Sequence, residues 1–576
     1  MVRHIRIWRR SWAGVLLFLV LFLSAVGSAR AGQTEPDTEA YVVTGRLLDS
    51  QEQPVVDAEI IAHLSGEEVE TAERLGETTS LEDGSFTLHL PELPSETAVL
   101  TVESHHFNSR QIALAGSPVE SLAERGFYHV ETLTLERRIT AGFWLAGLIF
   151  FGVLLIIALE KLHSTTAALA GISAVFFVTF LGEAFWDDLY IFSLERALAF
   201  INWEVIFLVM AMMIIIAILE GTGIFQWTAF QAYRMSRGRS WLLVLILILV
   251  TAVASALLDN FTTMLLMTPI SLQIALALGI NPFALIIPEV LASNIGGIST
   301  LIGTPTNILI GAHADIGFSG FFVHQTLGVV IALAVMSLYI LWHYRAEWRK
   351  QAGGISPRLY QQLEKNARIE DPVTLRRSGI VFGAVLVGFL IGEQFHVGPA
   401  VPALIGATAL LVWLKPDVEH LIKAVDWTTL VFFMALFMTV GAIQEVGLIS
   451  MIAGGISQIV GTSLTAAIVV MVFGVGLLSV FINNIPLAAA MLPVADFLTS
   501  TIPGADSKAL YYALSMGAAM GGNGSLVGAE ANLVTAGITA QAGLPIVFLE
   551  FLKVGLPVTL LTLTVGVLWL IVHFVV

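Results

Sequence analysis

Cysteine is absent from all 576 residues, which excludes disulfides, thiolate metal sites and cysteine nucleophiles. Charge is scarce too: 12% of side chains are Asp, Glu, Lys or Arg, against 56% that are hydrophobic. That balance excludes an ordinary soluble chain and marks a membrane protein, with room for a polytopic bundle and one small domain. Basic residues are the scarcer sign, and the net charge of −16 argues against a nucleic-acid partner. Residues 32–138 alone hold 21 Asp/Glu against 6 Lys/Arg, a net of −15, so nearly all the acidity lies in one segment. No phosphate loop, nucleophile triad or zinc motif appears, and the histidines are scattered. ATP-driven pumping and hydrolysis therefore have no support, and the chain reads as a non-enzyme without a cofactor or a metal beyond Na+.

What is present begins with "MVRHIRIWRRSWAGVLLFLVLFLSAVGSARA", a basic start, an apolar run and small residues at Ala29 and Ala31. This pattern predicts a secretory signal over 1–31, with an uncleaved anchor as the alternative. Either reading puts the next segment outside the cytoplasm. Over about 40–135, stretches such as "YVVTGRLLD", "AEIIAHL" and "SFTLHLP" alternate apolar and polar positions between turn signals such as "LEDGS". They predict short antiparallel strands of a β-sandwich over 32–138. "GRLLDSQEQPVVDAEIIA" and "TTSLEDGSF" resemble the carboxypeptidase regulatory-like (transthyretin-like) domain, which implies a structural or binding module whose partner stays unknown. His105 and His106 are adjacent, so they point to opposite faces of a strand and are assigned an ordinary surface role.

From Ala141 onward, apolar runs near the ~20-residue spanning length follow one another. They are expected at 141–160, 165–183, 203–222, 283–313, 321–343, 378–393, 397–414, 427–449, 508–540 and 547–573. Two further pairs, 240–279 and 463–499, are interrupted at "LLDNFTT" and "FINNIPL", and read as re-entrant hairpins or as two spans each. Basic residues cluster at Arg234, Arg237 and Arg239 and, eight of them, from Arg345 to Arg377, while the opposite loops hold little beyond Arg196 and Lys508. The charge bias makes the former loops cytoplasmic, in agreement with the signal.

The chain also repeats itself. A shift of 224 residues aligns Trp203 with Trp427, Gly223 with Gly447, Asn260 with Asn484 and Pro269 with Pro493; one residue more aligns Gly296-Gly297 with Gly521-Gly522. It also sets "LIGTPTN" (301–307) on "LVGAEAN" (526–532). The expected halves are 139–345 and 378–576, joined by a cytoplasmic linker at 346–377. Each half holds five spans plus an interrupted pair, and an odd count reverses the second copy in the membrane. Inverted repeats with broken segments mark secondary transporters. Broken backbone at that depth is tolerated only inside protein or beside a polar cavity. Close helix packing through small residues is the plainer reading of one Gly-rich stretch, but four polar breaks in two matched pairs disfavour it.

"SALLDNFTTMLLMTPI" with "SNIGGISTLIGTPTNILIG", and "VFINNIPLAAAMLPV" with "MGGNGSLVGAEANLV", resemble the ion transporter superfamily over residues 141–573. The resemblance is to the branch with the melanosomal P protein, arsenite permeases and sodium/proton antiporters, and more distantly to sodium/dicarboxylate symporters. It implies two re-entrant hairpins, two helices unwound at mid-membrane, substrate and cation between them, and a homodimer. Three positions depart from that pattern: Thr304 and Asn483 stand where Asp is usual, and Glu530 where a small residue is usual. Thr304 is expected to face Glu530 across the repeat.

Asp259 at the first hairpin tip is assigned to cation or proton coupling, with helix capping as the alternative. Glu530 is the second coupling candidate, and Glu289 the third, either coupling or structural. Asn260, Thr262, Thr263, Asn483 and Asn484 at the tips, and Ser299, Thr300, Thr304, Asn307, Asn523, Ser525 and Asn532 at the breaks, are candidate ligands through their oxygens and amides. The expectation is a multi-pass carrier of the bacterial inner membrane with a periplasmic sandwich. It moves a small anion, a carboxylate or an inorganic oxyanion, coupled to Na+ or H+. The alternatives are a Na+/H+ antiporter on the same scaffold, and a channel or membrane-bound sensor.

Overall fold

The structure, a computed structural model, describes residues 41–49, 54–64, 74–91, 98–114, 117–159, 161–349, 364–365 and 367–576. The signal expected over 1–31 and residues 350–363 of the linker lie outside the described residues. The chain divides into two compact units at Arg138/Ile139.

The first unit holds two four-stranded sheets. In one, β1 (Tyr41–Asp49) pairs with β4 (Ser85–Leu90), β7 (Phe127–His129) and β8 (Leu133–Leu135). The other has the order β3 (Arg74–Thr79), β2 (Glu59–Leu64), β5 (Ala98–Glu103), β6 (Arg110–Leu114). Period-2 alternation sends Phe86, Leu88 and Leu90 of β4 into a core shared with Val43, Leu47, Ile60, Leu100 and Val102. The antiparallel expectation fails at β1, whose pairings with β7 and β8 are parallel. The cause is a crossover: helix Ser117–Arg125 carries the chain back from β6, so it re-enters alongside β1 in the same direction. His105 is exposed, but His106 is buried, so the surface role expected for the pair holds for only one of them.

The second unit is helical. Among the described residues, nine helices are long and apolar enough to cross a membrane, and four shorter apolar helices accompany them. Helix Ala141–Ala158 shows how nearly all-apolar helices still choose a face: Phe143, Ala146, Phe150, Val153 and Ile157 are buried, while Leu148, Phe151 and Leu155 are exposed. The stripe recurs every three to four residues because the helical period does.

The run expected at 427–449 is two elements, Trp427–Glu445 and Leu448–Val460. The first repeat does the same, with Trp203–Glu220 followed by Ile224–Ser236. Gly223 and Gly447 stand between them at φ +80 and +86, a left-handed turn that stops one helix and starts the next. A hydropathy run does not register the corner at Gly447, because both of its arms are apolar. The run expected at 203–222 does stop at Gly223, where the next helix carries Gln226, Gln231 and Arg234.

The interrupted pairs are helical hairpins. Ser240–Leu257 and Asn260–Leu278 form the first, and the second runs from Leu464 to Ser479 and from Asn484 to Thr501. Each packs against a helix that breaks in its middle. The first broken helix is Phe283–Gly296, a short turn, then Pro305–Ala314; the second is Ala509–Gly521, a short turn, then Glu530–Gln541.

Candidate functional site

The two breaks are built alike. After Gly296 the chain makes a 3₁₀ turn, Gly297–Ser299, and extends at Thr300 (φ −139, ψ 163). After Gly521 it makes the turn Gly522–Gly524 and extends at Ser525 (φ −145, ψ 173). The Asn307 amide donates to the carbonyls of Ile298 at 3.0 Å and Thr300 at 2.8 Å, and Asn532 donates to those of Gly522 at 2.8 Å and Ser525 at 2.7 Å. Hydroxyls then pin each break to its hairpin: Thr300 donates to the Ala256 carbonyl, Ser525 to that of Val480. These bonds satisfy carbonyls that a broken helix would otherwise leave orphaned in an apolar setting.

The remaining tip and break residues fall around this frame. Thr304 caps Pro305–Ala314 by accepting from the Thr306 N–H at 3.3 Å, and Asn483 caps Asn484–Thr501 by accepting from Ile485 at 3.0 Å. Asn484 is buried, and its backbone N–H donates to the Gly528 carbonyl at 3.2 Å. Ser299 is buried in the first turn, its carbonyl 3.4 Å from the Thr326 hydroxyl. Thr263 is buried, with its hydroxyl unpartnered.

One amide joins the two repeats. Asn260 donates to Asn294 Oδ1 at 2.9 Å; Asn294 donates in turn to Asn523 Oδ1 at 2.8 Å and Asn532 Oδ1 at 2.9 Å. Asn523 donates onward to the Leu291 carbonyl at 3.2 Å. The first hairpin tip, the first break and the second break thus share one buried hydrogen-bond chain.

Beside it lies a small cavity. Asp259, Asp426 and Glu530 line it, with Ile302, Pro305 and Ile308 among its apolar walls. Its free volume, about 30 Å³, is that of about one water molecule. Each acid reaches it from a helix start. Asp259 caps Asn260–Leu278, accepting from the Thr262 N–H and hydroxyl, both at 2.7 Å. The capping alternative is therefore realised, and it accounts for Thr262. Asp426 caps Trp427–Glu445 through Thr428 and Thr429. Glu530 opens Glu530–Gln541, which packs along Asn260–Leu278 and so approaches Asp259.

The expected facing of Thr304 and Glu530 is corrected by one residue. Thr304 (φ −151, ψ 141) and Ala529 (φ −148, ψ 146) are the matched caps, so Glu530 occupies the place of Pro305. Glu289 lies away from this cavity, wholly buried, with Ser271 Oγ donating to its Oε2 at 2.8 Å.

Sequence reasoning passed over Asn294 and Asp426. Asn294 stands inside the first Gly-rich stretch, one residue after Ser293, and has no counterpart at Ala519. Asp426 carried a legible signal, since Asp directly before Trp-Thr-Thr is a helix-cap pattern. Its counterpart Asn202 caps Trp203–Glu220 in the same way. Two larger cavities are also related by the repeat. One, of about 380 Å³, is lined by Glu220, Leu265 and Pro269; the other, of about 450 Å³, by Gln444, Ala489 and Pro493, with Asn202 and His313. The first carries a carboxylate and the second has none among its lining residues.

Two repeats of broken helices and hairpins, joined by a buried amide chain, define a membrane transporter. Residues 154–517 match the family model described as "Citrate transporter" (CitMHS). The chain belongs to this family of transporters, which are not enzymes. It is 34% identical over 430 residues to a 46 kDa membrane protein of Mycobacterium leprae, covering 74% of this chain and 98% of that one. It is 35% identical to an uncharacterised transporter of Mycobacterium bovis (73% and 96% covered) and 33% identical to the human P protein (75% and 60%). Among solved structures it is similar to the YdaH transporter of Alcanivorax borkumensis, with 15% identity, a TM-score of 0.48 and coverage of 75% and 98%.

Proposed function

We propose that the chain is a secondary active transporter of the bacterial inner membrane, with its sandwich on the periplasmic side. It moves a small anion, a carboxylate or an inorganic oxyanion, coupled to Na+ or H+, and works as a homodimer. Citrate is the first anion to test, because the family is described by it. The observation that carries this reading is the pair of matched breaks, fastened by Asn307 and Asn532 and linked through Asn294. Each break ends at a helix start, at Pro305 and at Glu530, and both starts border the acidic cavity.

The cavity of Asp259, Asp426 and Glu530 supplies the coupling half. Three carboxylates around the volume of one water repel an anion and favour a dehydrated cation or a proton. The acid-free cavity lined by Asn202, His313 and Gln444 is the larger and the better approach for an anion. The acidic cavity also favours a second reading, Na+/H+ antiport, in which the cation is itself the cargo.

Flux in proteoliposomes separates the two. Uptake of labelled citrate driven by an inward Na+ or H+ gradient is the expected result. Na+-evoked proton release without any anion would establish antiport instead, and conductance far above carrier rates would sink both.

A further inference from the structure

Among the described residues, Glu289 is the least exposed carboxyl of the membrane unit, and one of its oxygens has no hydrogen-bond partner. Its Oε2 accepts from Ser271 Oγ at 2.8 Å, while its Oε1 is sealed from solvent without a hydrogen bond. The side chain of Thr251 faces the same carboxyl, and Thr251 Oγ1 is also buried and unpartnered. The Thr251 hydroxyl carries its own hydrogen and can donate to the carboxylate, so hydrogen bonding does not fix the charge of this group. What marks it is a carboxyl sealed from water with only hydroxyls around it. A proton on Oε1 removes the buried charge, and the neutral carboxyl keeps both hydroxyls as hydrogen-bond partners.

The internal repeat provides the control. Thr251, Ser271 and Glu289 come from three helices, and their counterparts in the second repeat are Val475, Ala495 and Leu514. The same helix packing is thus completed there with apolar side chains of similar bulk, so the fold does not demand a polar set. An ionisable group kept at such a place, against its desolvation cost, points to function.

We propose that Glu289, with Thr251 and Ser271, is a proton-binding site separate from the acidic cavity: its carboxylate takes up one proton on Oε1 and gives up the same proton during the transport cycle. A proton fits where a metal ion does not, because only three side-chain groups converge and the carboxyl lines none of the cavities described above. Helices Ser240–Leu257 and Asn260–Leu278, which supply its partners, contain no titratable side chain. The other groups on packed elements are Asp259 and Glu530 at helix starts, Tyr511 and Tyr512, His324, Tyr339 and His343, and Glu550, Lys553 and His573. Among the described residues, no charged side chain acts on the carboxyl.

Coupling through this proton rests on the transport reading, whereas proton binding does not. The test is infrared difference spectroscopy on the full chain in lipid, titrated with pH, for the C=O stretch of a protonated carboxyl. The expected result is a titrating band that is missing from Glu289→Gln, together with citrate uptake in Glu289→Gln that no longer responds to a proton gradient. The triple variant Thr251→Val, Ser271→Ala, Glu289→Leu copies the second repeat and is expected to stay folded, with a native thermal midpoint and no band. A band unchanged in Glu289→Gln overturns the proposal, as does a native band that disappears when Na+ is added at constant pH. Absence of citrate uptake by the native protein would count against the transport reading alone.

Discussion

Asp259 serves two purposes that a single substitution can separate. Its oxygens cap a helix, and its charge faces Asp426 and Glu530. Asn caps a helix about as well as Asp, so Asp259→Asn keeps the cap and removes the charge. The expected outcome is an unchanged thermal midpoint with gradient-driven uptake reduced at least about tenfold, the loss equivalent to ~1.4 kcal/mol of coupling. Unchanged uptake would remove Asp259 from the coupling scheme. Asn307 and Asn532 act instead through structure. Asn307→Ala or Asn532→Ala strands buried carbonyls and is expected to cost on the order of 2–4 kcal/mol. Thermal unfolding in detergent reads this as a lower midpoint, similar for both variants because their roles match. The charged residues at the breaks and tips were legible as single letters, since ionisable and amide groups are rare in apolar runs. Their partners were not: Asn294 reaches Asn523 across 229 positions of sequence, a distance that no local pattern spans.

At the scale of elements, the breaks depend on backbone touching backbone. A Cβ on Gly303 would lie 2.7 Å from the Ser255 carbonyl, and one on Gly528 would lie 2.7 Å from that of Ser479. These two carbonyls are repeat counterparts, so one close approach is made twice. Gly303→Ala and Gly528→Ala are expected to collapse the yield of monodisperse protein in detergent. Gly383→Ala, where a Cβ meets nothing, is expected to leave it unchanged. Equal yields for all three would mean that the breaks tolerate a side chain. The hairpins and breaks were readable from Gly, Pro and Asn punctuation in apolar runs. The corner at Gly447 was not, because both of its arms are apolar, whereas the run expected at 203–222 stops at the Gly223 corner.

For the whole molecule, the relative from Mycobacterium leprae is covered almost completely, yet takes up only 74% of this chain. About a quarter of the chain thus has no counterpart there, a share close to that of the unit ending at Arg138. The sandwich has its own core of Val43, Leu47, Phe86, Leu88, Ile60 and Leu100. A variant lacking residues 41–138 is therefore expected to retain gradient-driven citrate uptake within about twofold, a difference under about 0.5 kcal/mol. Loss of uptake in a variant that still inserts and stays monodisperse would make the sandwich part of the transport cycle.

The sequence by itself determined the class of the protein: apolar runs of spanning length, an acidic strand-rich segment ahead of them, and a repeat marked by residues foreign to lipid. Those features are compositional or periodic, and period and composition survive in a linear chain. Only the tertiary structure decided which polar residues hold the breaks and which remain for chemistry. It brought Asp426 beside Asp259 and left one oxygen of Glu289 without a partner, whereas the place of Glu530 opposite Pro305 already follows from setting "LIGTPTN" on "LVGAEAN". Hydrogen-bond satisfaction is a property of neighbours in space, and these neighbours come from helices far apart in sequence.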